Sequence, residues 1–188
     1  MNNNLPSWLQ SYINIFDNEQ IHHAFIISGS KGIGKSLLIE NLSEKLLNNK
    51  ISLENNPDFH NLKILDEKKL IGINQIHELR DKLYESSFLG KNKVAVINEI
   101  EKISIDGLNA ILKILEEPPK NTYFLLSTNF LNQIPLTIQS RCFDLRISSP
   151  EIKQSLEWLS DYQTKDALKA LEITNNLPIK AKYFLDNN

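Results

Sequence analysis

The stretch "GSKGIGKS" at residues 29–36 constrains this chain more than any other. It fits the pattern G-x-x-x-x-G-K-[ST] at Gly29, Gly34, Lys35 and Ser36, with Gly32 as a further glycine inside the loop. Glycines at this spacing let consecutive backbone N–H groups turn inward around a phosphate. A helix that starts at the loop adds its N-terminal dipole and unpaired donors. Lys35 is then expected to reach the β- and γ-phosphate oxygens, and the Ser36 hydroxyl to meet Mg²⁺. Such a loop needs an apolar strand before it and a helix after it. "HAFIIS" (23–28) reads as a buried strand, and "KSLLIENLSEKLL" (35–47) as a helix with Leu37, Leu38, Asn41, Leu42 and Leu46 on its apolar side.

The same alternation continues along the chain. Strands are expected at "FHNLKIL" (59–65), "KVAVINE" (93–99), "TYFLLST" (122–128) and "CFDLRI" (142–147). "INQIHELRDKLY" (73–84) carries Ile73, Ile76, Leu79 and Leu83 at helical spacing. "GLNAILKILEE" (107–117) carries Leu108, Ile111, Leu112 and Leu115, and the prolines at 118–119 stop it. Strand–helix alternation predicts an α/β fold: a parallel five-stranded sheet with helices on both faces. Beyond "SSP" (148–150) the pattern is helical only, in "EIKQSLEWLSDY", "KDALKALEI" and "IKAKYFL". The expected division is a nucleotide-binding core over 1–148 and a small helical lid over 149–188.

Composition narrows the classes. A net charge of −2 gives no overall attraction to nucleic acid or to an anionic membrane. Cys142 is the one cysteine, so no internal disulfide forms and no Cys/His set has zinc spacing. It reads as a small apolar residue rather than a nucleophile. The N-terminus has neither a basic region nor a long apolar segment, so neither signal peptide nor membrane span is expected, and the cytoplasm is the natural compartment. His22 and His23, just before a buried strand, read as packing or adenine-pocket residues.

A phosphate-loop hydrolase needs a second strand that ends in acid, an Asp for Mg²⁺ and a Glu for the attacking water. "VAVINEIE" supplies Glu99, but Asn98 stands where the Asp is expected. An amide brings no negative charge to the metal, which weakens the case for hydrolysis more than the case for binding.

Three further stretches, "NAILKILEEPP" (109–119), "FLLSTN" (124–129) and "LTIQSRC" (136–142), resemble the clamp-loader branch of the AAA+ ATPases. "LPSWLQSYINIFDNEQIHHAFIISG" and "NPDFHNL" (56–62) are similar to the delta-prime family of bacterial DNA polymerase III clamp loaders, and the "RP..F" opening of the motor subunits is missing. The resemblance runs from about Leu5 to Leu185. It implies a P-loop AAA+ core with a helical lid. It implies that Arg141 is an arginine finger acting in trans on a neighbour's ATP, a role its permanent charge suits. An arginine paired with Asp144 or Glu116 is the plain alternative. Thr128 and Asn129 end the strand that carries a γ-phosphate-sensing residue in this family, or else cap it.

The resemblance implies a subunit of the DNA polymerase III holoenzyme that helps load the sliding clamp in DNA replication. Such a subunit binds ATP and Mg²⁺ with little hydrolysis and has no polymerase activity of its own. Its partners would be motor and delta-like subunits, the clamp through the complex, and DNA indirectly. An active AAA+ motor, using Glu99 and Ser36, is the alternative; a P-loop small-molecule kinase would need an Arg-rich lid that is not seen. The departures are specific. The four-cysteine zinc module of many relatives has no counterpart in 46–60, so no zinc is implied. At the lid position where active members carry Arg stands Ile179, with Lys180 beside it. The family's third, collar domain is expected to be absent from these 188 residues.

Overall fold

The computed structural model describes residues 5–17, 21–65 and 68–187. They form β1 (Ala24–Ser28), α2 (Lys35–Leu47), β2 (Phe59–Leu62), α3 (Ile73–Tyr84), β3 (Lys93–Ile97), α4 (Ile105–Glu116), β4 (Thr122–Thr128), α5 (Leu136–Gln139) and β5 (Phe143–Arg146), with α1 (Ser7–Asn14) in front. Three helices follow, α6 (Ile152–Trp158), α7 (Thr164–Ile173) and α8 (Pro178–Asp186). The sheet has five strands in the order β2-β3-β4-β1-β5. Every pairing is parallel.

Side-chain alternation explains the layers. Along β1, Ala24 and Ile26 face one core with Ala95, Ile97, Phe124 and Leu126, under α3 and α4. Phe25 and Ile27 face the other with Val94, Val96 and Leu125, under α1 and α2. All five residues of β1 and of β3 are buried, as befits strands covered on both faces. A separate apolar cluster of Leu159, Ala167, Ala170, Leu171 and Ala181 holds α6–α8 together.

Several sequence expectations shift in detail. β2 stops at Leu62, short of the expected 65. β3 ends at Ile97, since Asn98 and Glu99 leave the ladder as Glu99 turns to φ +52°. α4 begins two residues earlier than expected, because Ser104 caps it by accepting a hydrogen bond from the Gly107 N–H. The buried side of α2 is Leu38, Ile39, Leu42, Ser43, Leu46 and Leu47. It is rotated from the expected stripe because the Ser43 hydroxyl donates to Ile39 O and so tolerates burial. In α3, Gln75 is buried while Ile73 is exposed. The Gln75 side chain accepts from the Gly72 N–H and donates to Lys63 O, so its amide is satisfied inside.

A parallel sheet gathers all strand N-termini at one edge and all C-termini at the other. The phosphate loop follows β1 at the C-terminal edge. Arg141 precedes β5, whose first residue Phe143 pairs with Phe25 near the start of β1. Five strand residues at about 3.3 Å each put about 16 Å between those edges.

Candidate nucleotide-binding site

Residues 29–34 turn between β1 and α2 with Gly32 at φ +93° and Gly34 at φ +113°, a region that side chains rarely enter. Packing adds a second demand. A Cβ on Gly34 would lie 2.9 Å from Leu9 Cδ1, and one on Gly32 would lie 2.8 Å from Lys180 Cβ. The loop is therefore sandwiched between α1 and α8. From α1, the Trp8 indole N–H donates to Ile33 O at 3.0 Å. From α8, the Ile179 N–H donates to Gly32 O at 3.2 Å. Ile179 packs into the core cluster beneath α1 and α2, together with Leu177 and Trp158. Ile179, expected from the sequence at a lid position, is thus an apolar contact here.

Lys35 Nζ donates to Gly29 O (2.7 Å), Ser30 O (3.1 Å) and Asn129 Oδ1 (2.8 Å). Burial pushes its ammonium below the usual lysine value, and the carboxylates of Glu101 and Glu99 partly offset that. Ser36 is exposed at the start of α2. β4 runs beside β1 and brings Asn129 to the same edge of the sheet as the loop. The other end of its amide, Nδ2, donates to Glu99 Oε1 (3.2 Å) and Glu101 Oε1 (3.3 Å). Carboxylates on one side and a lysine on the other fix the amide's orientation. Thr128 is buried, and its hydroxyl accepts from the Phe130 N–H; it acts as a strand-end cap.

Asn98 looks sideways rather than toward the loop. Its Oδ1 accepts from Ser127 Oγ at 3.1 Å, and its Nδ2 points at Asn61 Oδ1 at 3.4 Å. Glu99 holds φ +52°, a strained value for a residue with a side chain. Its Oε2 accepts from Lys102 Nζ at 2.6 Å. That hydrogen bond holds the Glu99 carboxyl below the usual carboxylate range. Glu101 completes the group. Its Oε1 accepts from the Asn129 backbone N–H at 3.1 Å, and its Oε2 is buried without a hydrogen-bond partner.

Arg141 lies at the opposite edge and takes no part in this network. Its guanidinium pairs with Glu116 Oε1 at 2.7 Å, half-exposed, and donates to Thr137 O at 2.7 Å. His23 is at that same edge, where its Nε2 lies 3.1 Å from Leu115 O near the end of α4. His22 stacks on it. Both rings start β1 rather than end it, so they pack away from the phosphate loop. Burial pushes the Cys142 thiol up to about 12, which removes it as a nucleophile. Among the described residues, no group of three or more His, Cys, Asp or Glu is arranged to hold a metal ion. None of the described helices is long and apolar enough to cross a membrane.

A profile of the family described as "DNA polymerase III, delta subunit" matches residues 5–151. The chain belongs to that family. The DNA polymerase III subunit delta' of Buchnera aphidicola subsp. Schizaphis graminum is 32% identical over 195 residues, which covers 94% of this chain and 59% of that protein. The delta' subunit of Haemophilus influenzae is 29% identical over 183 residues, 88% of this chain and 56% of its own. The chain thus spans less than two thirds of the length of these curated relatives. A DNA polymerase III gamma subunit-related protein of Thermotoga maritima superimposes with a TM-score of 0.64 at 23% identity, covering 89% of this chain and 58% of that one. RuvB of the same organism superimposes at 0.61 with 15% identity, over 90% and 55%. These two likenesses show that the delta-family chain has the AAA+ fold.

Sequence reasoning missed Trp8, Leu9 and Glu101, and the approach of Lys180 to Gly32. Trp8, Leu9 and Lys180 reach the loop only through the tertiary fold. Glu101 is part of the quoted "VINEIE" but falls at no motif position.

Proposed function

We propose that this chain is a delta-prime-like clamp-loader subunit of bacterial DNA polymerase III. It sits beside motor subunits akin to gamma and tau, completes a neighbour's ATP site with Arg141, and meets the sliding clamp and DNA through the assembly. Its own loop holds ATP with little turnover. The observation that carries the reading is the separation of Arg141 from its own phosphate loop by the length of the sheet. A guanidinium there cannot meet an ATP in the same chain, so any phosphate it serves belongs to another subunit. Pairing with Glu116 and Thr137 does not exhaust a fork of five donors, and it holds that fork at the surface.

The residues around the loop fit a magnesium nucleotide. Lys35 and the backbone N–H groups of the loop would hold the phosphates, and Ser36 would face the ion, which neutralises phosphate charge when bound. The missing cluster of three acidic ligands is no obstacle, because Mg²⁺ at such sites keeps waters and phosphate oxygens. Low turnover is supported by Asn98, by Ile179 in the lid, and by the diversion of Glu99 to Lys102. The motor reading keeps one observation in its favour, the presence of both Ser36 and Glu99 at motif positions.

The test is ATP turnover of a reconstituted loader made with the motor subunit of the same organism. R141A should lower turnover by about 10³-fold, the usual worth of such a finger, while K35A leaves it nearly unchanged. The opposite pattern, silent R141A and inactive K35A, would establish a motor.

A further inference from the structure

The acid expected at Asn98 is absent and a carboxylate oxygen is unused at Glu101, three residues further along the turn out of the sheet. Burying an anionic oxygen without a hydrogen bond is costly, and such an atom in a folded protein calls for a partner that the protein itself does not supply. Glu101 Oε2 is in that position. Its neighbours do not satisfy it. Lys102 Nζ is committed to Glu99 at 2.6 Å, and Lys35 Nζ is committed to Gly29 O, Ser30 O and Asn129 Oδ1.

The connection to the phosphate loop is short. Glu101 Oε1 accepts both the backbone N–H and the Nδ2 of Asn129, and Asn129 Oδ1 accepts from Lys35. Two hydrogen bonds therefore link the Glu101 carboxylate to the ammonium expected at the β- and γ-phosphates. Asn98, by contrast, spends its amide on Ser127 and Asn61. Glu99 has both oxygens engaged, by Lys102 and Asn129.

We propose that Glu101 is the acid that faces the magnesium ion of a bound nucleoside triphosphate, in place of the charge lost at Asn98, and that it positions Asn129 at the same time. This rests on the reading that the loop holds ATP. Mg²⁺ sites of this kind use one or two carboxylates with phosphates and water, so a single acid supplied from outside the motif suffices.

The experiment is calorimetric titration of the chain with ATP and with ADP, each with and without Mg²⁺. Mg²⁺ should tighten ATP binding to the native chain. E101Q keeps an acceptor for Asn129 and loses the charge. It should reduce the Mg²⁺-dependent gain by about 10–100-fold, the usual effect of removing an acid that supports a metal. The double variant E101Q/N98D, which returns an acid to the motif position, should recover the gain and guards against a merely misfolded E101Q. A full Mg²⁺ gain in E101Q would overturn the proposal. Absence of ATP and ADP binding under all conditions would instead overturn the nucleotide reading beneath it. The role of Arg141, measured in the assembled loader, is independent of either result.

Discussion

Replacing Gly32 by Ala tests the junction of the loop and α8 directly. Two costs add. A side chain at φ +93° costs about 1–2 kcal/mol from backbone strain. The new Cβ would also lie 2.8 Å from Lys180 Cβ and 3.3 Å from Lys180 N. Neither neighbour is the free end of a flexible side chain, so α8 must move, and overpacking of this kind costs about 1–3 kcal/mol. The sum is about 2–5 kcal/mol, which for a chain of this size lowers Tm by about 4–20 °C. Gly90 supplies the control. It sits at φ +67° with nothing within 4 Å of an added Cβ, so G90A carries the strain cost alone. Urea unfolding followed by circular dichroism would give both values. The packing cost is then the difference, and K180G should rescue G32A by at least about 1 kcal/mol in a double-mutant cycle. A G32A variant no less stable than G90A, or no coupling to K180G, would refute the claim that α8 rests on the loop.

Two further outcomes follow from other contacts. Asp58 is 1% exposed and accepts the backbone N–H groups of Phe88 (2.9 Å) and Leu89 (3.0 Å) with its two carboxylate oxygens; D58A should cost about 2–5 kcal/mol in urea unfolding, and a loss below about 1 kcal/mol would mean that water replaces the carboxylate. Lys102 holds the Glu99 carboxyl below its ordinary value, so this contact stabilises the fold fully above the ordinary carboxylate range and fades as pH falls toward the lower native value. In K102A the Glu99 carboxyl should titrate closer to the ordinary value by NMR; an unmoved titration would assign the shift to other groups.

The fold was legible because its signals are local. Buried strands such as "FIIS" and "VAVI" are apolar throughout, α2 and α3 keep their expected bounds, and the glycines mark the loop without reference to anything distant. The acid strand and Asn129 were legible through the order in which parallel strands deliver their ends. What escaped is what depends on long-range approach. Nothing in "LPSWLQ" says that Trp8 will donate to Ile33 O, and nothing in "LPIKAK" says that Lys180 will sit on Gly32. The two readings of Arg141 stayed open for a different reason. Pairing with Glu116 and service to a neighbour use the same guanidinium at the same edge, so the first, which the structure displays, leaves the second to experiment.

The chain's two tryptophans stand on opposite sides of the junction, Trp8 on α1 and Trp158 on α6. Their rings meet edge to face with centroids 6.0 Å apart, and the Lys182 ammonium lies 5.5 Å from the Trp158 ring centroid. Both indoles of the chain are therefore in one spot, and that spot is the seam that opens if α6–α8 leave the phosphate loop. Intrinsic fluorescence becomes an unlabelled gauge of where α6–α8 sit: separation exposes both indoles to water and moves their emission to longer wavelength. The native spectrum can be apportioned with W8F and W158F. If the chain works as proposed, the same readout reports whether nucleotide or a neighbouring subunit pries the seam apart.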